Sequence, residues 1–148
     1  MVDARADVVW QIVGDPTRVG EWSHETRGAR WVSPADGPVV GARFVGVNKV
    51  GRTTWRRTCE IVELDDMRRL VWRTVPSAIY RDSTRWTLTV EDIGDGATQL
   101  SQDYEIVYIN PLLDRLFFAF IKQHRDRSRA LRGDLEQIAA LAVELARA

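Results

Sequence analysis

Apolar residues recur along this chain with two periods, and the change between them divides it. From Pro111 to Ala148 they fall at Leu113, Leu116, Phe117, Phe120, Ile121, Leu131, Leu135, Ile138, Leu141 and Leu145. The gaps are mostly three, four or seven, which lays one apolar stripe along a helix. Asn110 is placed to N-cap that helix, Pro111 suits its first position, and Asp114 faces the positive end of its dipole. At about 1.5 Å per residue it would run to roughly 55 Å. A bend or looser turn is expected at Gly133, because glycine weakens a helix by about 1 kcal/mol relative to alanine.

The residues ahead of this helix have a different rhythm. Ala4 to Val13 reads as a helix, with Asp7 in its first turn and Val8, Val9, Ile12 and Val13 apolar. Asp15-Pro16 then caps and starts a second short helix, which carries Val19 and Trp22 and ends near Ser23. From there the period falls to two. Strands are predicted at Ala29–Ser33, Arg43–Val50 and Thr54–Leu64, across Leu70, Trp72 and Thr74, at Arg81–Asp92 and at Thr98–Ile109. A loop rich in proline and glycine covers Pro34–Gly41, and turns stand at Val50-Gly51-Arg52, Asp65-Asp66 and Gly94-Asp95-Gly96. Alternation groups Trp55, Cys59 and Ile61 on one face, likewise Leu70, Trp72 and Thr74, then Trp86, Leu88 and Val90, then Leu100, Gln102, Tyr104 and Ile106. Along Arg43–Val50 the even positions offer Phe44, Gly46 and Asn48, the odd ones Val45 and Val47.

Consecutive strands joined by short turns make an antiparallel meander. The expected class is α+β: two short helices, about six strands, and a long helix covering one face of the sheet. Leu116, Phe120, Leu131 and Leu135 are expected to face that sheet. A curved sheet gripping one helix leaves a gap where curvature outruns side-chain filling, and that gap is the natural ligand pocket. At 148 residues the chain is read as a single domain, residues 1–148.

Composition narrows the picture further. Basic and acidic residues balance at 21 each, so no bulk charge points to nucleic acid or to a membrane surface. The single cysteine, Cys59, excludes an intramolecular disulfide. No apolar run approaches a membrane span and no signal peptide opens the chain. The resulting expectation is a soluble cytoplasmic protein without membrane insertion. Six tryptophans need large apolar pockets to pack in.

Several stretches resemble a known family. Asp3-Ala4-Arg5-Ala6-Asp7-Val8-Val9-Trp10, Asp15-Pro16 and Glu21-Trp22-Ser23 are similar to the opening of the START-like (SRPBCC) superfamily, nearest its polyketide cyclase/dehydrase and lipid-transport branch. Gly41-Ala42-Arg43-Phe44-Val45-Gly46-Val47-Asn48, Trp55, Cys59-Glu60-Ile61-Val62-Glu63 and Leu70-Val71-Trp72 carry the likeness through the middle. The resemblance implies a helix-grip (START/Bet v 1-like) fold. It also implies a hydrophobic cavity between sheet and long helix, holding a lipid, polyketide or other apolar small molecule. Members include cyclases, aromatases and carriers, so the fold does not choose among them. The chain departs from the pattern twice. Only Met1 to Asp3 stand in place of a full first strand, and Arg5 stands where proline is common. Either the true start lies upstream or one sheet edge is left with unpaired backbone groups. That edge is expected to be covered by Met1 to Asp3 or by a neighbouring molecule, as in a homodimer.

The candidate ligand contacts come from the inner face. Trp22, Trp55, Trp72 and Trp86 either line the pocket or fill it, with Phe44, Phe117 and Phe120 beside them. Gln102 and Tyr104 share the face of Leu100 and Ile106; buried, an amide and a phenol need partners. They either orient a ligand carbonyl or hydroxyl, or bond to each other and to water. Asn48 and Thr84 are similar. None of these four titrates near neutral pH, and Asp103 and Glu105 alternate outward. Arg57 shares the parity of Trp55 and reaches the cavity mouth. His24 and His124 belong to no spaced metal set. His24, at the end of the second short helix, reads first as a surface or capping residue and second as a general base. Cys59 reads as a buried inert thiol.

No catalytic residue, metal or cofactor is assigned on these grounds. Lys49, Arg52, Arg56 and Arg57 form one basic group, and Lys122, Arg125, Arg127, Arg129 and Arg132 another. They read first as solvated faces and second as a docking patch for an acidic carrier protein or a phosphate-bearing ligand. Three functions follow: non-catalytic binding of an apolar small molecule, which leads; a cyclase or aromatase; and a regulatory module acting through its basic faces. The pocket is expected to shape and hold its ligand without strong acid–base machinery; an Asp, Glu or His buried on its inner surface with a strongly shifted pKa would overturn the carrier reading and make the cyclase the better one.

Overall fold

The computed structural model describes residues 1–79, 81–108 and 127–148. Helix α1 spans Ala6–Val13, and a 3-10 helix follows over Pro16–Glu21. Six strands come next: β1 Thr26–Trp31, β2 Arg43–Val50, β3 Thr53–Asp65, β4 Arg69–Thr74, β5 Ser83–Gly94 and β6 Ala97–Tyr108. Helix α2, Ser128–Arg147, closes the chain. The strands pair in sequence order, each antiparallel to the next, which is the predicted meander. β1 begins three residues before the predicted Ala29 and ends at Trp31.

The long helix expected from Pro111 to Ala148 is not one unbroken element: α2 begins at Ser128, with Arg127 outside the helix as its N-cap. The predicted cap Asn110 and the positions Leu113, Leu116, Phe117, Phe120 and Ile121 lie outside the described residues. Gly133 does not interrupt α2, contrary to the expected loosening. It is exposed, and the helix is held by its buried face on the other side, so tertiary packing outweighs the local propensity cost.

Local chemistry accounts for the turns. Asp15 Oδ1 accepts from the Thr17 N–H at 2.8 Å, and Pro16 supplies a preset φ at the first position. A Cβ on Gly20 would fall 2.7 Å from the Arg27 carbonyl oxygen, so glycine lets the 3-10 helix lie directly against β1. The β5–β6 hairpin needs left-handed backbone at Gly94, Asp95 and Gly96, with φ of 85°, 53° and 74°.

Cross-strand register turns the period-2 alternation into rows across the inner face. Leu64, Leu70, Leu88 and Gln102 form one row, and Ile61, Trp72, Trp86 and Tyr104 the next. At one end of the sheet these rows are solidly packed. Leu70, Leu88, Val90 and Leu100 join Ile138 and Ala142 of α2 in a single buried cluster, with Leu135 against it and Leu131 half-buried. The terminal helix expected to cover the sheet does not do so alone. α1 contributes Val9, Trp10, Ile12 and Val13 to the same cluster, because its short amphipathic face packs against both sheet and α2.

The first residues do cover part of the β6 edge. Val2 forms an antiparallel bridge with Thr98, its N–H donating to the Thr98 carbonyl at 2.8 Å and its carbonyl accepting from the Thr98 N–H at 2.9 Å. The Thr98 hydroxyl donates to the Ala4 carbonyl at 2.7 Å, and both Val2 and Thr98 are buried.

Ile138 is fully buried where α2 meets the sheet. Ile138→Ala is expected to lower unfolding stability by about 2–5 kcal/mol, read from urea denaturation with an unchanged slope.

Candidate functional site

At the other end of the sheet the inner face is polar and aromatic, and a pocket of about 230 Å³ opens there. Its lining from the strands follows the predicted parity. β2 supplies Phe44, Gly46 and Asn48; β3 supplies Trp55, Arg57 and Cys59; β4 gives Trp72 and Thr74; β5 gives Thr84 and Trp86; β6 gives Gln102. The remaining wall comes from the bend after the 3-10 helix, Trp22 to Thr26, and from Arg127 and Asp134 at the start of α2. Eight predicted residues thus meet in one place: Trp22, Phe44, Asn48, Trp55, Trp72, Thr84, Trp86 and Gln102. Phe117 and Phe120 lie outside the described residues.

Tyr104 is on the predicted face but is not part of this lining. Its ring tilts against Trp86 at 5.3 Å, and the Arg127 guanidinium sits over it at 5.5 Å. It stands beside the wall, in contact with two residues that line the pocket. Ile106, one step further along the same face, is exposed near the end of β6. Phe44 packs edge-on against both Trp31 and Trp72 at 6.0 Å, so the aromatic wall is a connected set rather than isolated rings.

Among the described residues, two buried polar atoms of this wall have no hydrogen-bond partner: Trp22 Nε1, a donor, and Gln102 Oε1, an acceptor. Leaving such groups unmet costs about 1–3 kcal/mol each, so each calls for a partner. Asn48 differs, since its Oδ1 accepts from the Thr26 hydroxyl at 2.8 Å. The Thr74 hydroxyl accepts from the Thr84 N–H at 2.7 Å.

The cations in the pocket face carboxylates. Arg57 donates to both Asp82 carboxylate oxygens at 3.2 Å and to the Asp82 carbonyl at 3.0 Å. Arg57 therefore lines the pocket itself, deeper than a mouth position, with its side chain largely buried. Arg127 lies 3.4 Å from Glu25. Burial pushes the Cys59 thiol up to about 12 against the opposing pull of Arg57, which makes it a poor nucleophile, as expected.

The wall also holds a pair that overturns one expectation. Asp134, only 3% exposed, accepts from the His24 backbone N–H at 2.7 Å, and its two oxygens lie 3.0 and 2.9 Å from His24 Nδ1. The inner surface therefore does carry a titratable group paired with a buried carboxylate, and His24 is not a plain surface or capping residue. The bend that presents it is built locally, with the Ser23 hydroxyl oxygen accepting from the N–H groups of Glu25 and Thr26 at 3.2 and 3.0 Å. The hydrogen bond to Asp134 raises the His24 pKa above its ordinary value; burial opposes this, and Glu25 adds to it. Asp134 carried a sequence signal that went unread. It stands four and eight residues before Ile138 and Ala142, an acid on the apolar stripe of the helix.

Among the described residues no group of three or more His, Cys, Asp or Glu could hold a metal ion, and no described helix is long and apolar enough to cross a membrane.

An antiparallel sheet gripping a terminal helix, with a pocket at one end, is the helix-grip α+β fold of the START-like (SRPBCC) superfamily. More narrowly, the chain belongs to the polyketide cyclase/dehydrase and lipid transport family, whose model matches residues 1–142. Similar solved structures include the di-domain aromatase/cyclase StfQ of the steffimycin biosynthetic pathway, with a TM-score of 0.65 and 16% identity over 95% of this chain and 42% of that one. They also include major latex-like protein 151 of Panax ginseng, with a TM-score of 0.62, 17% identity, and 94% and 90% coverage. A protein from Nitrosomonas europaea gives 0.63, 13% identity, and 97% and 90% coverage. At these identities the likeness concerns the fold. No curated protein sequence matches.

Because the folded-state pKa of His24 lies above the unfolded 6.5, its contact with Asp134 stabilises fully below 6.5 and fades as pH rises through the folded value. The stability gap between the parent protein and His24→Gln should therefore be wider at mildly acidic than at alkaline pH, measured by urea titration at each. Cys59 should resist a disulfide reagent in the native protein and react at once after unfolding.

Proposed function

We propose that this protein binds an apolar small molecule, a lipid, polyketide or similar compound, in the pocket between the sheet and the C-terminal helix. The observation that carries the reading is the wall itself: four tryptophans and Phe44 around a space, with Trp22 Nε1 and Gln102 Oε1 buried in that wall without a hydrogen-bond partner among the described residues. Aromatic faces supply large contact area, and a few placed polar atoms supply orientation. The pairing of Arg57 with Asp82 and of Arg127 with Glu25 favours a ligand whose polar end is uncharged. A carboxylate or phosphate would have to break an existing ion pair to find a cation.

A second reading is an enzyme of the cyclase or aromatase kind. The His24–Asp134 pair supports it, because proton transfer needs a group with a tuned pKa inside the pocket.

Native mass spectrometry of protein purified without added ligand should show an adduct of discrete mass that is lost on denaturation. Gln102→Leu and Trp22→Phe should each weaken rebinding of that compound by about 1–3 kcal/mol, measured by tryptophan fluorescence. An unliganded protein that leaves tryptophan emission unchanged across a panel of apolar compounds would sink the proposal.

A further inference from the structure

We propose that the open edge of β6 pairs with the same edge of a second copy of this chain, so that two six-stranded sheets continue into one another across a two-fold axis. The inference goes beyond the ligand reading and does not depend on it, since it uses the backbone of β6 and not the pocket.

Backbone direction identifies the open groups. Thr98 exchanges two hydrogen bonds with Val2 on the side away from β5. In a strand the N–H and C=O of one residue point to the same side, and those of the next residue to the other. The ladder with β5 runs without a bulge from Asp92 and Thr98 to Thr84 and Ile106, so every second residue of β6 repeats the direction of Thr98. Leu100, Gln102, Tyr104 and Ile106 therefore turn their N–H and C=O groups off the edge, while Gln99, Ser101, Asp103 and Glu105 turn theirs to β5. Among the described residues no backbone hydrogen bond reaches this edge beyond Thr98. Asp103, Glu105, Ile106 and Val107 are exposed, so the stretch is accessible. A row of open donors and acceptors is a template for another strand.

The side chains choose the occupant and its register. Two identical strands paired antiparallel have a two-fold axis at one residue, a closed arrangement in which each copy offers the same surface. The constraint is the acids Asp103 and Glu105, which point to the outer face with Gln99 and Ser101. Like charges directly opposite one another destabilise a pair. An axis at Asp103 sets that acid against its own copy, and an axis at Glu105 does the same to Glu105. An axis at Tyr104 sets Asp103 against Glu105 twice. An axis at Ser101 avoids these contacts but needs the Thr98 groups that Val2 already holds, which leaves only Leu100 against Gln102. An axis at Gln102 keeps Leu100 against Tyr104 on both sides of a central Gln102 pair, with every backbone group of these residues open. It also sets the Ser101 hydroxyl, a donor, against the Asp103 carboxylate of the other copy. One register thus satisfies the edge without opposing two acids, and this strand's own sequence provides it.

The test is sedimentation of the whole chain over a wide range of concentration. A monomer–dimer equilibrium is expected, and a weak one, because a single strand edge buries little area. Ser101→Asp sets an acid against Asp103 twice in each dimer and should weaken association by about tenfold; Ser101→Lys should tighten it. Circular dichroism checks that both variants fold. Amide exchange at Leu100, Gln102 and Tyr104 should slow as concentration rises, while Ser101 and Asp103, already turned to β5, should not change. Mixing Ser101→Cys with Asp103→Cys under oxidised glutathione should give a mixed disulfide, because residues directly opposite at such a site lie about 4.5 Å apart at Cα. Cys59 is buried and stays out of that exchange. A monomer at every concentration would overturn the proposal. So would a dimer that neither Ser101 variant alters and that yields no mixed disulfide, since it would meet through another surface.

Discussion

The inner face of the six-stranded sheet changes character along its length, and the described helices pack on its apolar end. Where α1 and α2 do reach, Leu70, Leu88, Ile138 and Ala142 exclude water and pack as a solid core. Beyond that region the same face continues with Asn48, Arg57, Thr74, Thr84 and Gln102, residues that a filled apolar core would not tolerate without partners. The row containing Leu64, Leu70 and Leu88 ends on Gln102, and the transition from core to pocket occurs within one line of cross-strand neighbours.

The polar end is kept from collapsing by pairing. Arg57 is held by Asp82, Arg127 by Glu25, and His24 by Asp134. Each pair joins segments far apart in the chain or braces the wall against the sheet. The His24–Asp134 contact does both, since it ties the bend after the 3-10 helix to the first turns of α2 across 110 residues. Belonging to a family described as polyketide cyclase/dehydrase and lipid transport does not decide between holding and transforming a ligand.

Much of the fold was legible in the sequence, and so was half of the site. Period-2 alternation is a local property of an extended backbone, so it placed Phe44, Trp55, Trp72, Trp86 and Gln102 on one face before any strand was paired. The turn signals set the strand order for the same reason: glycine and aspartate at left-handed positions act over two or three residues. The three-four spacing of Leu131, Leu135, Ile138 and Leu141 showed in the same way the helix that packs on this face.

Tertiary structure alone decided the remainder. Tyr104 has the right parity, but whether it faces the pocket or backs Trp86 depends on how far along the row the open space begins. Val2 at the β6 edge depends on a chain that returns to its own start after ninety-odd residues. The His24–Asp134 pair is the clearest case. Each residue taken singly reads as ordinary, a histidine at the end of a short helix and an acid in a long one. Their meaning arises when folding brings them within 2.9 Å, because the strength of a hydrogen bond and the shift of a pKa depend on distance and burial. No local pattern along the chain carries that information.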